Sequence, residues 1–390
     1  MSATREWAER RRVGLEAAAR QLIPPAIGLF SIPFVIYALV LVLRRDAFGV
    51  DFHYAFWPAA VRVVHGMSPY VDPHSPIVEG GAAFVYPAPT ALLFAPFGWL
   101  DRDVGNAIFT AIVVIAIPLT MWTLSVRDWR VYGVVFMWAP IFGAWQTANI
   151  TTLLGLGVAA AWRWRDRPVV TGALFAGVVS MKLFLWPVVL WYLATRRYAA
   201  VGWAIAVGVV VNAISWLVLG LGEIHRYTDL VRALTDAEER RAYSVISFAM
   251  NHGVGRGPAY VVGLAIAVAV MAAAVAAGRR GQDARSLTLG IAASILASPL
   301  VWLHYFALLL VPVCLARPRL SPLWGLPIAL WVCSPTRPRD PQLVLTMVTA
   351  TAMVLFALRA LGAGPGAPSA PVSPPREPRG ARGAAPATVV

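Results

Sequence analysis

From Ile23 onward, apolar runs alternate with short connections that carry arginine, and that alternation leaves few folds open to the chain. A helix needs about 20 apolar residues to cross the hydrocarbon core of a bilayer, and fewer where short helices pair inside a bundle. Runs of this kind lie at 23–43, 104–125, 131–145, 149–163, 168–182, 183–196, 199–221, 258–277, 286–298, 302–316, 321–336 and 341–361. With 59% of residues apolar and 13% charged, an ordinary soluble globule is excluded, since about a quarter of its residues would carry charge. A net charge of +14 would ordinarily suggest a nucleic-acid partner through counterion release. In a chain this apolar the charge reads instead as a record of membrane orientation. The expectation is an all-α polytopic membrane protein of about twelve transmembrane helices, bound to membrane lipids and not to nucleic acid.

Arginine placement sets the orientation, because Arg and Lys near span ends stay on the cytoplasmic side. Of the 33 cations, 32 are Arg and one is Lys, at Lys182. With both termini cytoplasmic, the inner segments hold 21 Arg and the outer segments 11. That count treats Phe84 to Leu100 as a re-entrant half-helix, because Pro87, Pro89 and Pro96 interrupt it and each removes a donor. A full crossing there would turn every later Arg cluster outward. The expected organisation is a cytoplasmic N-tail over 1–22, a transmembrane domain over 23–361 with outer loops at 44–84 and 222–257, and a Pro/Ala/Gly/Arg tail over 362–390. The tail has no apolar periodicity and cannot bury enough surface to fold. No small-residue cleavage motif follows 23–43, so that run reads as a retained first span. Arginine usage this lopsided suggests a high-GC genome, and the expected setting is a bacterial plasma membrane, crossed many times. Cys314 and Cys333 lie inside apolar runs and offer neither a disulfide framework nor Cys-based metal spacing.

The first outer loop holds the densest chemistry, DFHYAFWPAAVRVVHGMSPYVDP over 51–73. Helical spacing gathers Asp51, Tyr54, Pro58, Arg62 and His65 into a polar stripe and Phe56, Ala60, Val63 and Val64 into an apolar one, which predicts an amphipathic helix lying flat on the bilayer. Asp51 has two readings. It can cap that helix by accepting from its first free amides, or it can act as a general base where a lipid-linked substrate meets water. Lys182 stands in the middle of an apolar run, where a cation costs roughly 2.5 to 3.5 kcal/mol on insertion scales. No acid lies nearby in sequence to pair it, so it is a functional candidate, the alternative being snorkelling from a span end at the 182/183 break. Gln146 and Asn149 are polar groups in an apolar run and can serve simply to join helices. His304, at the outer end of a span, is either a hydrogen-bonded histidine of the bundle or a donor to a substrate. Asp101-Arg102-Asp103 has the D-x-D spacing of metal-nucleotide transferases without any nucleotide-fold context, and reads as a solvated loop. His53, His65, His74, His225 and His252 show no H-E-x-x-H or comparable ligand spacing.

The early outer Asp, the amphipathic helix and the G-x-S-P-Y that follows at 66–70 resemble the GT-C membrane glycosyltransferases. The resemblance is specifically to glycosyltransferase family 87, the polyprenyl-phosphate-mannose-dependent mannosyltransferases. VYPAPTALLFAPF (85–97) is similar to that family's Y-P-P segment, and WQTANITTLLGLGVAAAWR (145–163) to its G-Q-x-N run. GALFAGVVSMKLFLWPVVLWYLATRR (172–197) resembles its G-x3-G…K-x-x-P stretch, and ASPLVWLHYFALLLVP (297–312) its S-P-x-S-W-x-H-H segment. The matches stay in order over about residues 20–320. The chain departs from the pattern at Ala144-Trp145 before Gln146, at Pro187 after the Lys, at Tyr305 in place of a second His, and at Asn251-His252-Gly253 in place of an outer Asn-Gln-Ser.

The resemblance implies a GT-C glycosyltransferase fold and a single inverting displacement, with mannose moving from a polyprenyl monophosphate donor to a glycolipid or glycan acceptor on the outer face. Asp51 would be the catalytic base, and Lys182, His304, Tyr86, Gln146 and Asn149 would bind the donor's phosphate and sugar. Tyr54, Arg62, His65, Asn251, His252 and Arg256 are the outer-loop or acceptor candidates. Because protein cations can neutralise a monophosphate leaving group, no metal and no cofactor is expected. Two rivals share these features: a GT-C arabinofuranosyltransferase, and a lipid or glycolipid transporter. A transporter would be favoured by inverted internal repeats, and the sequence has none at a fixed period.

Overall fold

The computed structural model describes residues 48–333 and 338–362, together with Ile36 and Val40, and among them all regular structure is helical. The expected first span at 23–43 lies outside the described residues apart from Ile36 and Val40, as does the tail beyond 362. In chain order the helices are α1 (Trp57–Val64), α2 (Ala88–Phe94), α3 (Arg102–Thr123), α4 (Trp129–Phe136), α5 (Ala139–Gln146), α6 (Thr151–Arg163), α7 (Pro168–Met181) and α8 (Val189–Ala194). There follow α9 (Tyr198–Leu219), α10 (Glu223–Glu238), α11 (Val245–Asn251), α12 (Arg256–Arg279), α13 (Asp283–Ala297), α14 (Leu310–Ala316) and α15 (Asp340–Gly362).

Four helices among the described residues, α3, α9, α12 and α15, are long and apolar enough to cross a membrane. Their outward faces carry the physical signature of lipid contact. Asp101 starts α3 by accepting from the amides of Asp103 (2.9 Å) and Val104 (3.3 Å). From there Phe109, Val113, Ile117 and Met121 turn into the protein, while Ile108, Ile112, Ile115 and Leu119 on the other side are exposed. On α9 only Ala200 and Ser215 are buried. Apolar surface on that scale is not left open to water by a soluble domain. The chain is an integral membrane protein.

The remaining apolar runs are short or broken, each for an identifiable reason. The run at 131–145 splits between α4 and α5 at Met137-Trp138, just before Pro140. Trp331 Nε1 donates to the freed Met137 carbonyl (2.6 Å), and Trp138 Nε1 donates to the Trp324 carbonyl (2.7 Å). The 168–196 stretch breaks at Lys182, whose extended backbone (φ −156°, ψ 108°) ends α7 before a 3-10 turn at Leu183–Val188. Thr90 Oγ1 donates to the Met181 carbonyl at that break (2.9 Å). A second 3-10 turn, Leu303–Leu309, precedes α14. The segment read as re-entrant holds α2, of 7 residues, and a 3-10 turn Ala95–Trp99, of 5, both too short to cross a bilayer.

One expectation changes. The apolar stripe of the 44–84 loop, expected to face the bilayer, is packed against protein. A π-helical turn, Phe52–Phe56, leads into α1, and Phe52, Phe56, Ala59 and Ala60 are buried. Phe56 stacks on Phe94 with centroids 4.3 Å apart, and Phe52 lies against Phe97 (5.5 Å) and Phe109 (5.7 Å). At Gly98 a Cβ would sit 2.6 Å from the Ala60 carbonyl oxygen, so the two backbones touch. The 84–100 segment and α3 supply the rings that this stripe buries against, at about 0.5–1.5 kcal/mol per aromatic pair beyond area burial.

On the side of the molecule that carries the α6–α7 and α8–α9 connections, Asp283 gathers several groups. Arg197 donates to both its oxygens (3.0 and 2.8 Å), Arg165 Nε lies 3.4 Å away, and the Trp191 indole donates to it as well. These partners come from different connections, so the carboxylate ties them together at the start of α13. Asp283→Ala is expected to cost about 1–3 kcal/mol, below the fully buried value because the pair is partly solvated. A thermal melt in detergent checks this, and an unchanged Tm would show the cluster to be dispensable.

Candidate active site

The polar residues of the broken segments converge where the helices stop. Between α5 and α6 the chain turns at Ala148, which adopts φ +53° and directs Asn149 inward. Asn149 Oδ1 accepts from Thr151 N (3.0 Å) and Thr151 Oγ1 (2.6 Å), which leaves its NH2 group facing the 44–84 loop. There Asn149 Nδ2 donates to Asp51 Oδ2 (2.5 Å) and lies 3.4 Å from the Tyr86 hydroxyl. The backbone of the Asp51 turn is pinned to the same break, with Gly49 N donating to Gln146 O (2.7 Å) and Asp51 N to Thr147 O (2.9 Å). Asp51 makes no capping hydrogen bond. Of its two readings, the N-cap is not the one realised.

Burial pushes the Asp51 carboxyl above the usual carboxylate range, opposed by the Asn149 hydrogen bond and by the charge of Lys182. The Lys182 ammonium is turned into the same space, 4.0 Å from the centroid of Tyr305, 5.1 Å from Tyr86 and 5.7 Å from Phe184. Ring faces hold a cation by their quadrupoles without neutralising it. Lys182 forms no salt bridge among the described residues. His304 is buried beside it, packed on Tyr305, and its Nε2 has no hydrogen-bond partner among the described residues.

Asp51, Tyr86, Gln146, Asn149, Lys182 and His304 all line one cavity of about 430 Å³, within the roughly 300–1,000 Å³ of small-molecule sites. The Gly80–Ala83 loop, Leu234, Glu238, Trp302 and Tyr305 complete its wall. A buried carboxylate and an ammonium that forms no salt bridge among the described residues, facing one cavity, can accept a proton and hold an anion. Among the described residues no three His, Cys, Asp or Glu side chains group as a metal site.

The six outer-loop candidates are elsewhere. Tyr54 is exposed, Arg62 Nε donates to Ser68 O (2.5 Å), and His65 Nδ1 lies 2.7 Å from Val61 O. Asn251 Nδ2 donates to Arg240 O (3.1 Å), His252 Nδ1 lies 2.9 Å from Phe248 O, and Arg256 pairs with Asp236 and Glu239. None lines the cavity. The reason for the first three is the burial of the aromatic stripe, which turns the polar stripe away. The D-x-D pair is structural: Asp101 caps α3, and Asp103 Oδ1 lies 3.9 Å from His53 Nε2. Sequence reasoning missed Tyr305, Trp302 and Glu238 as wall residues. Glu238 did leave a signal, since it follows Leu230 and Leu234 at four-residue spacing on the buried face of α10, a lone acid on an apolar stripe.

No solved structure matches the chain. Two curated proteins of Mycolicibacterium smegmatis (strain ATCC 700084 / mc(2)155) are similar to it. One is a polyprenol-phosphate-mannose-dependent alpha-(1-2)-phosphatidylinositol pentamannoside mannosyltransferase, 25% identical over 273 residues, covering 64% of this chain and 60% of the relative. The other is a polyprenol-phosphate-mannose-dependent alpha-(1-2)-phosphatidylinositol mannoside mannosyltransferase, 24% identical over 297 residues, covering 70% of this chain and 66% of the relative. The chain thus matches less than two thirds of the length of either. The family model described as Glycosyltransferase family 87 matches residues 84–302, a stretch that takes in Tyr86, Gln146, Asn149 and Lys182. That stretch is more than half of the chain, and by it this protein belongs to glycosyltransferase family 87.

Proposed function

We propose that the protein is a membrane glycosyltransferase that moves mannose from a polyprenyl monophosphate carrier to a hydroxyl of a glycolipid or glycan acceptor at the outer face of a bacterial plasma membrane. The observation that carries this reading is the placement of Asp51 and Lys182 on one cavity wall with Tyr86, Asn149 and His304. The donor and acceptor classes are supported by the activities named for the two Mycolicibacterium smegmatis relatives. The architecture proposed is a GT-C fold of about twelve crossings, in which the broken runs stack in pairs to reach across the roughly 30 Å hydrocarbon core. Both termini would be cytoplasmic, and the cavity would open outward.

The reaction is a single inverting displacement. The acceptor oxygen attacks the anomeric carbon, its proton passes to Asp51, and the bond from that carbon to the phosphate oxygen breaks with its electron pair leaving on the polyprenyl phosphate. Asn149 holds Asp51 in place through a hydrogen bond to one oxygen, which leaves the other for the acceptor. Charge grows on the departing phosphate, where Lys182 stabilises it electrostatically and the unpartnered His304 Nε2 offers a further hydrogen-bonding group. Ring faces keep Lys182 in position without consuming its charge.

The test is an in vitro transfer assay with the purified chain, offering polyprenyl-phospho-mannose or polyprenyl-phospho-arabinofuranose to phosphatidylinositol mannosides and to simple alkyl mannosides. Transfer of mannose is the expected outcome. Transfer of arabinofuranose alone would change the donor sugar, and no transfer from either donor would overturn the reading.

A further inference from the structure

A second carboxylate faces the cavity, and the displacement described above does not use it. Glu238 ends α10 in the second outer loop, and it is 2% exposed. Its Oε1 accepts from Arg241 Nη1 (2.9 Å), whose own side chain is 41% exposed. The acid is therefore inside and its counter-charge reaches toward water. Burying a carboxylate is costly unless its oxygens are bonded, and among the described residues Arg241 is the one side chain that pairs with it, on Oε1, which leaves acceptor capacity on a group that lines the cavity. The Gly80–Ala83 loop of the same wall packs beside it. Gly81 has φ +74°, and a Cβ there would lie 3.4 Å from the Glu238 carboxyl carbon and Oε1, so a glycine lets this loop come close to the carboxylate. Lys182 and His304, the anion-binding groups, belong to other segments of the same wall.

We infer that Glu238 binds the acceptor: it accepts hydrogen bonds from a hydroxyl neighbouring the one that attacks, and so selects a polyol with adjacent free hydroxyls, such as a hexopyranose, over an isolated alcohol. This rests on the transferase reading proposed above. Carboxylates are strong acceptors for sugar hydroxyls, with charge-assisted bonds about twice as strong as neutral ones. A site built to bond a hydroxyl rejects the analogue that lacks it far more strongly than an apolar pocket rejects a size change. Asp51 takes the proton of the attacking hydroxyl, and Glu238 holds the ring so that this hydroxyl, and no other, points at Asp51. The first and second outer loops are thereby given one joint task.

The experiment uses the full chain in lipid nanodiscs with polyprenyl-phospho-mannose and octyl α-mannoside, the intact glycoside and a series each lacking one hydroxyl. In Glu238→Gln the acceptor KM should rise roughly 10- to 100-fold, the range for losing a hydrogen bond to a charged group. Donor KM and the slow hydrolysis of donor by water should stay within about twofold, since neither involves the acceptor subsite. Arg241→Lys, which keeps a cation beside the buried carboxylate, should leave acceptor KM within about threefold. Wild type should discriminate against one deoxy acceptor by at least about tenfold, and Glu238→Gln should lose that discrimination. An unmoved acceptor KM in Glu238→Gln overturns the inference, as does an equal rise in Arg241→Lys, which would make the pair merely structural. Should Glu238→Gln fail to fold, a wild type indifferent to every single deoxygenation overturns it as well. Product formed with retained configuration would make Glu238 a nucleophile instead. Absence of any transfer by wild type would overturn the transferase reading itself, an outcome distinct from normal transfer with an unaffected variant.

Discussion

Asp51→Asn should lose sugar transfer by about 10²- to 10⁴-fold, the usual contribution of a positioned general base, with expression, Tm and donor binding unchanged. The substitution is nearly isosteric, and the Asn149 amide can donate to the new side-chain carbonyl as it does to the carboxylate, so the geometry of the turn is retained. What disappears is the proton acceptor. The pH profile supplies a second readout. Because burial raises the Asp51 carboxyl above the ordinary range, wild-type activity should fall on acidification at a pH above that of a free aspartate, as protonation removes the base. That acid limb should be missing from whatever residual activity Asp51→Asn retains. Full transfer by Asp51→Asn, in a folded protein, would leave the carboxylate as a structural partner of Asn149 and remove it from the chemistry.

Lys182→Met should lower kcat/KM for the donor by roughly 10²- to 10³-fold, as for removal of one preorganised group that stabilises transition-state charge. The methionine fills the stem volume within the ring cage formed by Tyr86, Phe184 and Tyr305, so a loss of this size reads charge and not packing. Lys182→Arg is expected to recover little, since a planar guanidinium does not fit the compact space of an ammonium between ring faces. Tyr305 provides the control. Tyr305→Phe keeps the ring and should retain activity to within a fewfold, whereas Tyr305→Leu removes the cation–π contact, worth about 2 kcal/mol when desolvated, and should lose roughly tenfold or more. Unchanged donor kinetics in Lys182→Met would exclude Lys182 from phosphate binding, even though it faces the cavity.

The membrane character of the chain was legible because it rests on composition summed over long windows, which tertiary context cannot reverse. Helices α3, α9, α12 and α15 fall within a few residues of the expected runs at 104–125, 199–221, 258–277 and 341–361. The breaks were less legible. Pro140 announces the interruption before α5, but the extended backbone at Lys182 has no proline to announce it and is held by Thr90, a residue distant in sequence. Gln146, Asn149, Lys182 and His304 were readable one by one as cavity candidates, being polar groups that an apolar run does not accommodate without a reason. The outer-loop candidates were not, because amphipathic periodicity reports that a helix has two faces without saying what each face meets.

The sequence by itself determined an all-helical membrane protein, the family to which it belongs, and the residue types available for its chemistry. Those follow from local hydropathy and from motifs whose order survives in the linear chain. Tertiary structure alone decided that Asp51, Asn149, Tyr86, Lys182 and His304 share one cavity, that Asp51 bonds Asn149 and caps no helix, and that Glu238 joins them while Arg62, His65 and Arg256 stay outside. The physical reason lies in the 44–84 loop. Its Phe52 and Phe56 bury against rings of the 84–100 segment and α3. That choice splits the polar stripe, with Tyr54, Arg62 and His65 away from the cavity and Asp51 on its wall, and it depends on contacts between segments that no single stretch of sequence contains.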